Sequence, residues 1–107
     1  MSLPMPKITL EDERDYLEWR LGSGRSVEIL DVAVGSERRQ GRGTRLLAHL
    51  LHDIPQDASL IFAITRISNT IAHEWYEKNG FRIVGRLHKF YRDGDGTESA
   101  LMYGKDI

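Results

Sequence analysis

Apolar and polar positions along the chain change period several times, and each change predicts an element. Val27-Glu28-Ile29-Leu30-Asp31-Val32-Ala33-Val34 is rich in β-branched residues and reads as a strand over residues 27–34. The run stops at Gly35. After a short basic loop with two glycines, Leu46, Leu47, Leu50 and Leu51 recur at helical spacing, which predicts a helix from about Gly41 to His52. Ile54-Pro55 closes it. The next segment, Ser59 to Thr65, is apolar with no alternation, as expected of a buried strand with helices on both faces. A strand, helix, strand unit of this kind normally sets its strands parallel through a right-handed crossover.

Further along, Ser68 or Asn69 caps a second helix whose Ile71, Ala72, Trp75 and Tyr76 form an apolar stripe, and Asn79-Gly80 supplies a left-handed stop. Phe81 to Tyr91 and Glu98 to Lys105 then flank Arg92-Asp93-Gly94-Asp95-Gly96, the signature of an antiparallel hairpin. At the front, Lys7-Ile8-Thr9-Leu10 is a short extended stretch. Thr9 is read as the cap of a helix that carries Leu10, Leu17 and Leu21 on one face and ends at Gly22 and Gly24. Residues 1–107 are therefore expected to form a single α/β (α+β) domain.

Composition narrows the chemistry. With 107 residues, 40% hydrophobic, the chain holds one modest core, and its net charge of -1 gives no global case for a nucleic-acid or membrane partner. The absence of cysteine removes disulfides, thiolate metal sites and a cysteine acyl-enzyme. No segment is apolar over a membrane-spanning length, and the start lacks the apolar run of a leader, so a cytoplasmic protein is expected. His49 and His52 lie three apart, but no H-E-x-x-H is present and no metal is expected.

The loop before the first long helix is the strongest chemical signal. Free N–H groups and the positive end of the helix dipole point into it, which favours an anion. Gly41 and Gly43 allow unusual backbone angles and a close approach to a ligand, while Arg38, Arg39, Arg42 and Arg45 add positive charge. A phosphate or pyrophosphate suits this site. The P-loop pattern is excluded because no lysine follows either glycine. The dinucleotide fingerprint is excluded because Leu46 stands at its third glycine.

Arg38-x-x-Gly41-x-Gly43 resembles the R/Q-x-x-G-x-G/A pyrophosphate loop of the GNAT superfamily of acyl-CoA-dependent N-acetyltransferases. A second pattern, Asn69-Thr70-Ile71-Ala72-His73-Glu74-Trp75-Tyr76-Glu77-Lys78-Asn79-Gly80-Phe81, resembles the family's N-x-x-A-x-x-x-Y-x-x-x-G-F helix at every fixed position, in the family's order. The resemblance covers roughly residues 27 to 105. It implies a mixed β-sheet flanked by helices, with coenzyme A between splayed strands of a central β-α-β unit and a terminal hairpin. It also implies direct transfer of an acetyl group from acetyl-CoA to a primary amine of a small molecule or protein.

Under that resemblance, backbone groups of Arg38, Arg39, Gln40, Gly41, Arg42, Gly43 and Thr44 hold the pyrophosphate. Main chain at Val32, Ala33 and Val34 pairs with the pantetheine arm. Asn69 caps its helix and touches the same arm. Tyr76 gives a proton to the departing thiolate as general acid, and Glu28 takes one from the amine as base. Asp31 follows Glu28 on the same strand, where strict alternation would put the two carboxylates on opposite faces. From periodicity alone Tyr76 is simply a core tyrosine, Asn69 a helix cap, and the loop a glycine-rich helix start.

Family members usually carry a strand, two helices and two more strands before the strand at 27, where this chain has only 26 residues. A second reading is therefore a catalytically reduced domain that binds coenzyme A as a sensor or interaction module. A third, nucleic-acid binding through the four arginines, fits the near-neutral charge poorly and predicts steep salt dependence. An exposed terminal strand invites pairing, so a homodimer is expected.

Overall fold

The computed structural model describes residues 7–9, 14–34, 41–94 and 96–107, with Arg42 represented by its backbone. In chain order the elements are β1 (Lys7–Thr9), β2 (Tyr16–Leu21), β3 (Ser26–Ala33), α1 (Arg42–Asp53), β4 (Leu60–Arg66), α2 (Thr70–Lys78), β5 (Arg82–Asp93) and β6 (Gly96–Asp106). One six-stranded sheet takes the order β1-β2-β3-β4-β6-β5. β3 and β4 are parallel, while β1–β2, β2–β3, β4–β6 and β5–β6 pair antiparallel. This is the mixed α+β sheet with a central β-α-β unit and a terminal hairpin that the sequence suggests.

Because β6 lies antiparallel between β4 and β5, β5 runs parallel to β4. The crossovers through α1 and α2 then step across the sheet in one direction, and right-handedness puts both helices on the same face. Leu46, Leu47 and Leu50 of α1 share one buried cluster with Ala72, Trp75 and Tyr76 of α2 and with Leu17, Val27, Ile29, Ile61, Ala63 and Tyr103 of the sheet. This corrects the expectation of helices on both faces of residues 59–65. Ile61, Ala63 and Thr65 are buried under the helices, whereas Leu60, Phe62 and Ile64 are half-buried on the other face. An unbroken apolar run shows that both faces exclude water to some degree, but it does not say what covers them.

A second expectation fails at the front of the chain. Residues 16–21 are a strand, not the end of a helix. Leu17 and Trp19 alternate into the core at 0% and 7% exposure, and Leu21 stands out at 63%. The Leu17–Leu21 spacing fits a helix as well as a strand, and pairing with β1 and β3 decides between them. Leu10 falls outside the described residues.

β3 also departs from strict alternation. Glu18 pairs with Asp31 but Trp19 pairs with Ile29, which leaves Leu30 as an extra residue in a β-bulge. The bulge resets the parity, so Asp31, paired with Glu18, shares a face with Glu28, paired with Arg20. The sequence-based placement of the two carboxylates on opposite faces is therefore wrong.

The terminal hairpin is tied to the junction of β4 and α2. Arg66 contacts Glu98 at 3.1 Å and Asp93 at 2.7 Å, and the Ser68 backbone N–H donates to Glu98 at 2.7 Å. Hydrogen bonds from Ser68, with Arg66 beside it, hold the Glu98 carboxyl below its ordinary value. Among the described residues no helix is long and apolar enough to cross a membrane.

Candidate functional site

α1 begins at Gly41, whose φ of +71° is a left-handed conformation that glycine adopts without a Cβ penalty. The first intrahelical bond runs from Arg45 N–H to the Gly41 carbonyl at 3.0 Å. The N–H groups of Arg42, Gly43 and Thr44 therefore precede the helical ladder. Among the described residues no side chain caps this end, and its first turn holds no acidic residue. Among the same residues a Cβ built on Gly41 would meet nothing within 4 Å. Arg38, Arg39, Gln40 and the Arg42 side chain lie outside the described residues.

Gly43 serves a different purpose. A Cβ there would overlap the Trp75 indole, because the first turn of α1 packs directly on α2. Helix packing thus requires glycine at position 43 independently of any ligand. Among the described residues the buried Trp75 Nε1 has no hydrogen-bond partner, consistent with its position against a helix end that offers donors. The Thr44 hydroxyl reaches Asn79 Oδ1 at 3.4 Å, a second link between the two helices.

α2 is closed at both ends by its own side chains. Asn69 Oδ1 accepts from Ala72 N–H at 3.2 Å as an N-cap. Asn79 Nδ2 donates to the Trp75 carbonyl at 2.9 Å, and Gly80 takes φ +85° as the chain turns back. This fixes Tyr76, which is stacked on Tyr103 at 5.1 Å between ring centres and meets Phe81 edge-on at 5.2 Å. Tyr103 is held in turn by a 2.8 Å contact to His73 Nδ1, while His73 Nε2 lies 3.0 Å from the Ile67 carbonyl. A ring with His73 Nε2–H donating and Nδ1 accepting satisfies both contacts.

β3 and β4 separate at the level of this tyrosine. Their register runs from Ser26↔Leu60 to Ile29↔Ala63, yet β3 continues to Ala33 and β4 to Arg66. Val32 and Ala33 therefore belong to the part of β3 that has left β4 while still paired with β2, and Val34 follows directly. Thr65, on the opposite lip of this gap, hydrogen-bonds the Tyr76 hydroxyl. Burial pushes the Tyr76 phenol well above its ordinary value. The Thr65 bond works against that rise, and the Asp31 charge adds to it. Tyr76 thus keeps its proton throughout the neutral range.

The two carboxylates of β3 differ in their partners. Glu28 lies below the gap, opposite Phe62, and Arg20 Nε and Nη2 both contact its Oε1 at 2.8 Å. Asp31 lies within the separated part and accepts the Tyr16 hydroxyl on Oδ2 at 2.8 Å. The structure thus sets Thr65 and Tyr76 on the helix side of the gap, Asp31 on the separated part of β3 with its side chain on the other face, and Glu28 where the strands are still paired. Thr65, Tyr16, Tyr103 and the Gly43–Trp75 contact carry no sequence signal, because each depends on strands or helices far apart in the chain.

Comparison with known proteins agrees with this architecture. The model of the acetyltransferase (GNAT) family matches residues 8–81. No curated protein matches the chain in sequence. Among solved structures, the Escherichia coli ribosomal-protein-S18-alanine N-acetyltransferase is 24% identical with a TM-score of 0.69, over 92% of this chain and 65% of its own. A Bacillus anthracis protein solved with acetyl coenzyme A is 24% identical with a TM-score of 0.79, over 92% of this chain and 59% of its own. A Bacillus subtilis acetyltransferase solved with coenzyme A is 20% identical with a TM-score of 0.71, over 91% and 71%. These likenesses establish the fold, and the chain spans less than two thirds of the first two.

Proposed function

Because the chain belongs to the acetyltransferase (GNAT) family, we propose that it transfers an acetyl group from acetyl coenzyme A directly to a primary amine. The observation that carries this reading is the Tyr76 hydroxyl, fixed beside Thr65 where β3 and β4 part, on the helix that packs against the first turn of α1. An anion at that start and an extended arm in the gap would bring a thioester to the tyrosine.

In the reaction, the amine nitrogen attacks the thioester carbonyl and forms the C–N bond. The C–S bond then breaks. A carboxylate on β3 receives the surplus proton of the nitrogen, and the sulfur leaves as a thiolate, which takes its proton from solvent. An ordinary thiol ionises near ~8.5 and a phenol near ~10, so full proton transfer from a buried phenol to the thiolate is uphill. Tyr76 contributes chiefly as a hydrogen-bond donor to the sulfur as negative charge develops there. Backbone N–H groups at residues 42–44 supply the anion contacts, and main chain at residues 32–34 serves the arm. Acetyl coenzyme A as donor makes the cytoplasm the expected compartment.

A second reading, a coenzyme A-binding module without transfer, draws on the pairing of Glu28 with Arg20. Calorimetric titration with acetyl coenzyme A, followed by thiol release across a panel of primary amines, separates the two. Transfer requires binding and amine-dependent release, whereas the module gives binding alone. Gly41→Val puts a β-branched side chain on a left-handed turn beside the proposed anion contacts, so affinity should fall about tenfold or more, equivalent to at least ~1.4 kcal/mol. Unchanged affinity in a folded Gly41→Val protein would remove the cradle from the proposal.

A further inference from the structure

We propose that Asp31, rather than Glu28, is the carboxylate that receives the acceptor's ammonium group and takes its proton, an assignment that rests on the transferase reading above.

The bulge at Leu30 carries the argument. With regular alternation Asp31 would point under the helices, on the side of Ile29 and Val27. The extra residue turns it onto the face of Glu28 and Arg20 while keeping it above the last β3–β4 pair. Asp31 is therefore on the β3 side of the gap, on the face opposite the helices, whereas Thr65 and Tyr76 lie on the helix side of β4. The Asp31 charge is felt at the Tyr76 hydroxyl from the opposite strand. Glu28 sits where the strands are still joined, opposite Phe62.

Their partners separate the two further. Two Arg20 N–H groups already neutralise Glu28 Oε1, and an ammonium arriving there would meet a guanidinium as well as a carboxylate. Tyr16 binds Asp31 through a neutral hydroxyl, which orients the carboxylate without cancelling its charge. A carboxylate whose charge is not neutralised by a cation attracts an alkylammonium ion and takes the nitrogen's surplus proton as the C–N bond forms, when that nitrogen becomes acidic. The arrangement sets the charge-bearing acceptor group on one face of the gap and the sulfur-facing donor on the other, so the amine enters from the face opposite the helices. The acceptor class is a primary amine that arrives protonated.

Carboxyl-carbon NMR on uniformly labelled wild-type protein tests the assignment, with n-butylammonium chloride titrated against matched sodium chloride, both with and without coenzyme A. A saturable shift of the Asp31 carboxyl with Glu28 unmoved is the expected result. An unmoved Asp31, or a shift confined to Glu28, overturns it. The titration without coenzyme A separates failure of this assignment from failure of the transferase reading, because it needs neither cofactor binding nor turnover. If n-butylamine is acetylated, Asp31→Asn should lower kcat/KM by about 100-fold or more and Glu28→Gln by only a few-fold. Equal losses also overturn the assignment.

Discussion

The start of α1 and the body of α2 meet at Gly43 and Trp75, yet they are built on opposite plans. Among the described residues α1 opens without a side-chain cap and without an acidic residue in its first turn, on a left-handed Gly41. α2 is capped by Asn69, stopped by Asn79-Gly80, and holds Tyr76 among Trp75, Phe81 and Tyr103. An anion held by backbone N–H groups needs vacancy and a fixed helix axis, whereas a side chain that must meet one developing charge needs a fixed ring. The open site therefore depends on the closed one, since α2 supports the first turn of α1.

The largest expected effect falls on the closed side. Tyr76→Phe keeps the ring packing but removes the donor, so acetyl coenzyme A should bind normally while kcat falls about 100-fold or more. Stopped-flow thiol release with an accepted amine measures this, and normal turnover would show that the tyrosine is only a core residue. Gly43→Ala strikes the junction. Its Cβ must displace Trp75, which should destabilise the protein by about 1–3 kcal/mol, with partial recovery when Trp75→Leu makes room. Denaturant unfolding reads both variants, and an unaffected Gly43→Ala protein would mean that the helices are not locked together.

Asn69→Ala removes the cap of α2 and should cost about 1 kcal/mol by the same measurement. A far larger fall in acetyl coenzyme A affinity than in stability would give Asn69 a direct contact with the donor. The smallest effect concerns pH. The native Tyr76 phenol is raised above its ordinary ~10, so above that pH the unfolded chain releases a proton that the folded chain retains. The unfolded state then binds fewer protons. The stabilisation is complete below about pH 10 and is lost as pH rises through the native value. Unfolding midpoints at about pH 9 and about pH 11 should converge more closely in Tyr76→Phe than in wild type.

Local chemistry made several features readable in advance. Glycine at position 41 announces a left-handed helix start, Asn69 a cap, Asn79-Gly80 a stop, and Gly94 a turn, because each acts within a few residues. The apolar stripe of α2 likewise marks Ala72, Trp75 and Tyr76 as buried, although Ile71 of the same stripe is exposed, and two spaced motifs point to the family.

Long-range pairing decided the rest. Leu17 and Leu21 fit a helix until β1 and β3 flank them, and β4 looks enclosed until both crossovers place their helices on one face. The order of Glu28 and Asp31 is in the sequence, but the bulge that brings them to one face arises only where β3 must match β2. Gly43 reads as part of a ligand loop, and only the fold shows that Trp75 also requires it to lack a Cβ. Sequence determines what a residue can do within reach of its neighbours along the chain. Only the tertiary structure decides which distant group it meets, because strand register and helix contacts are set by the packing of the whole sheet.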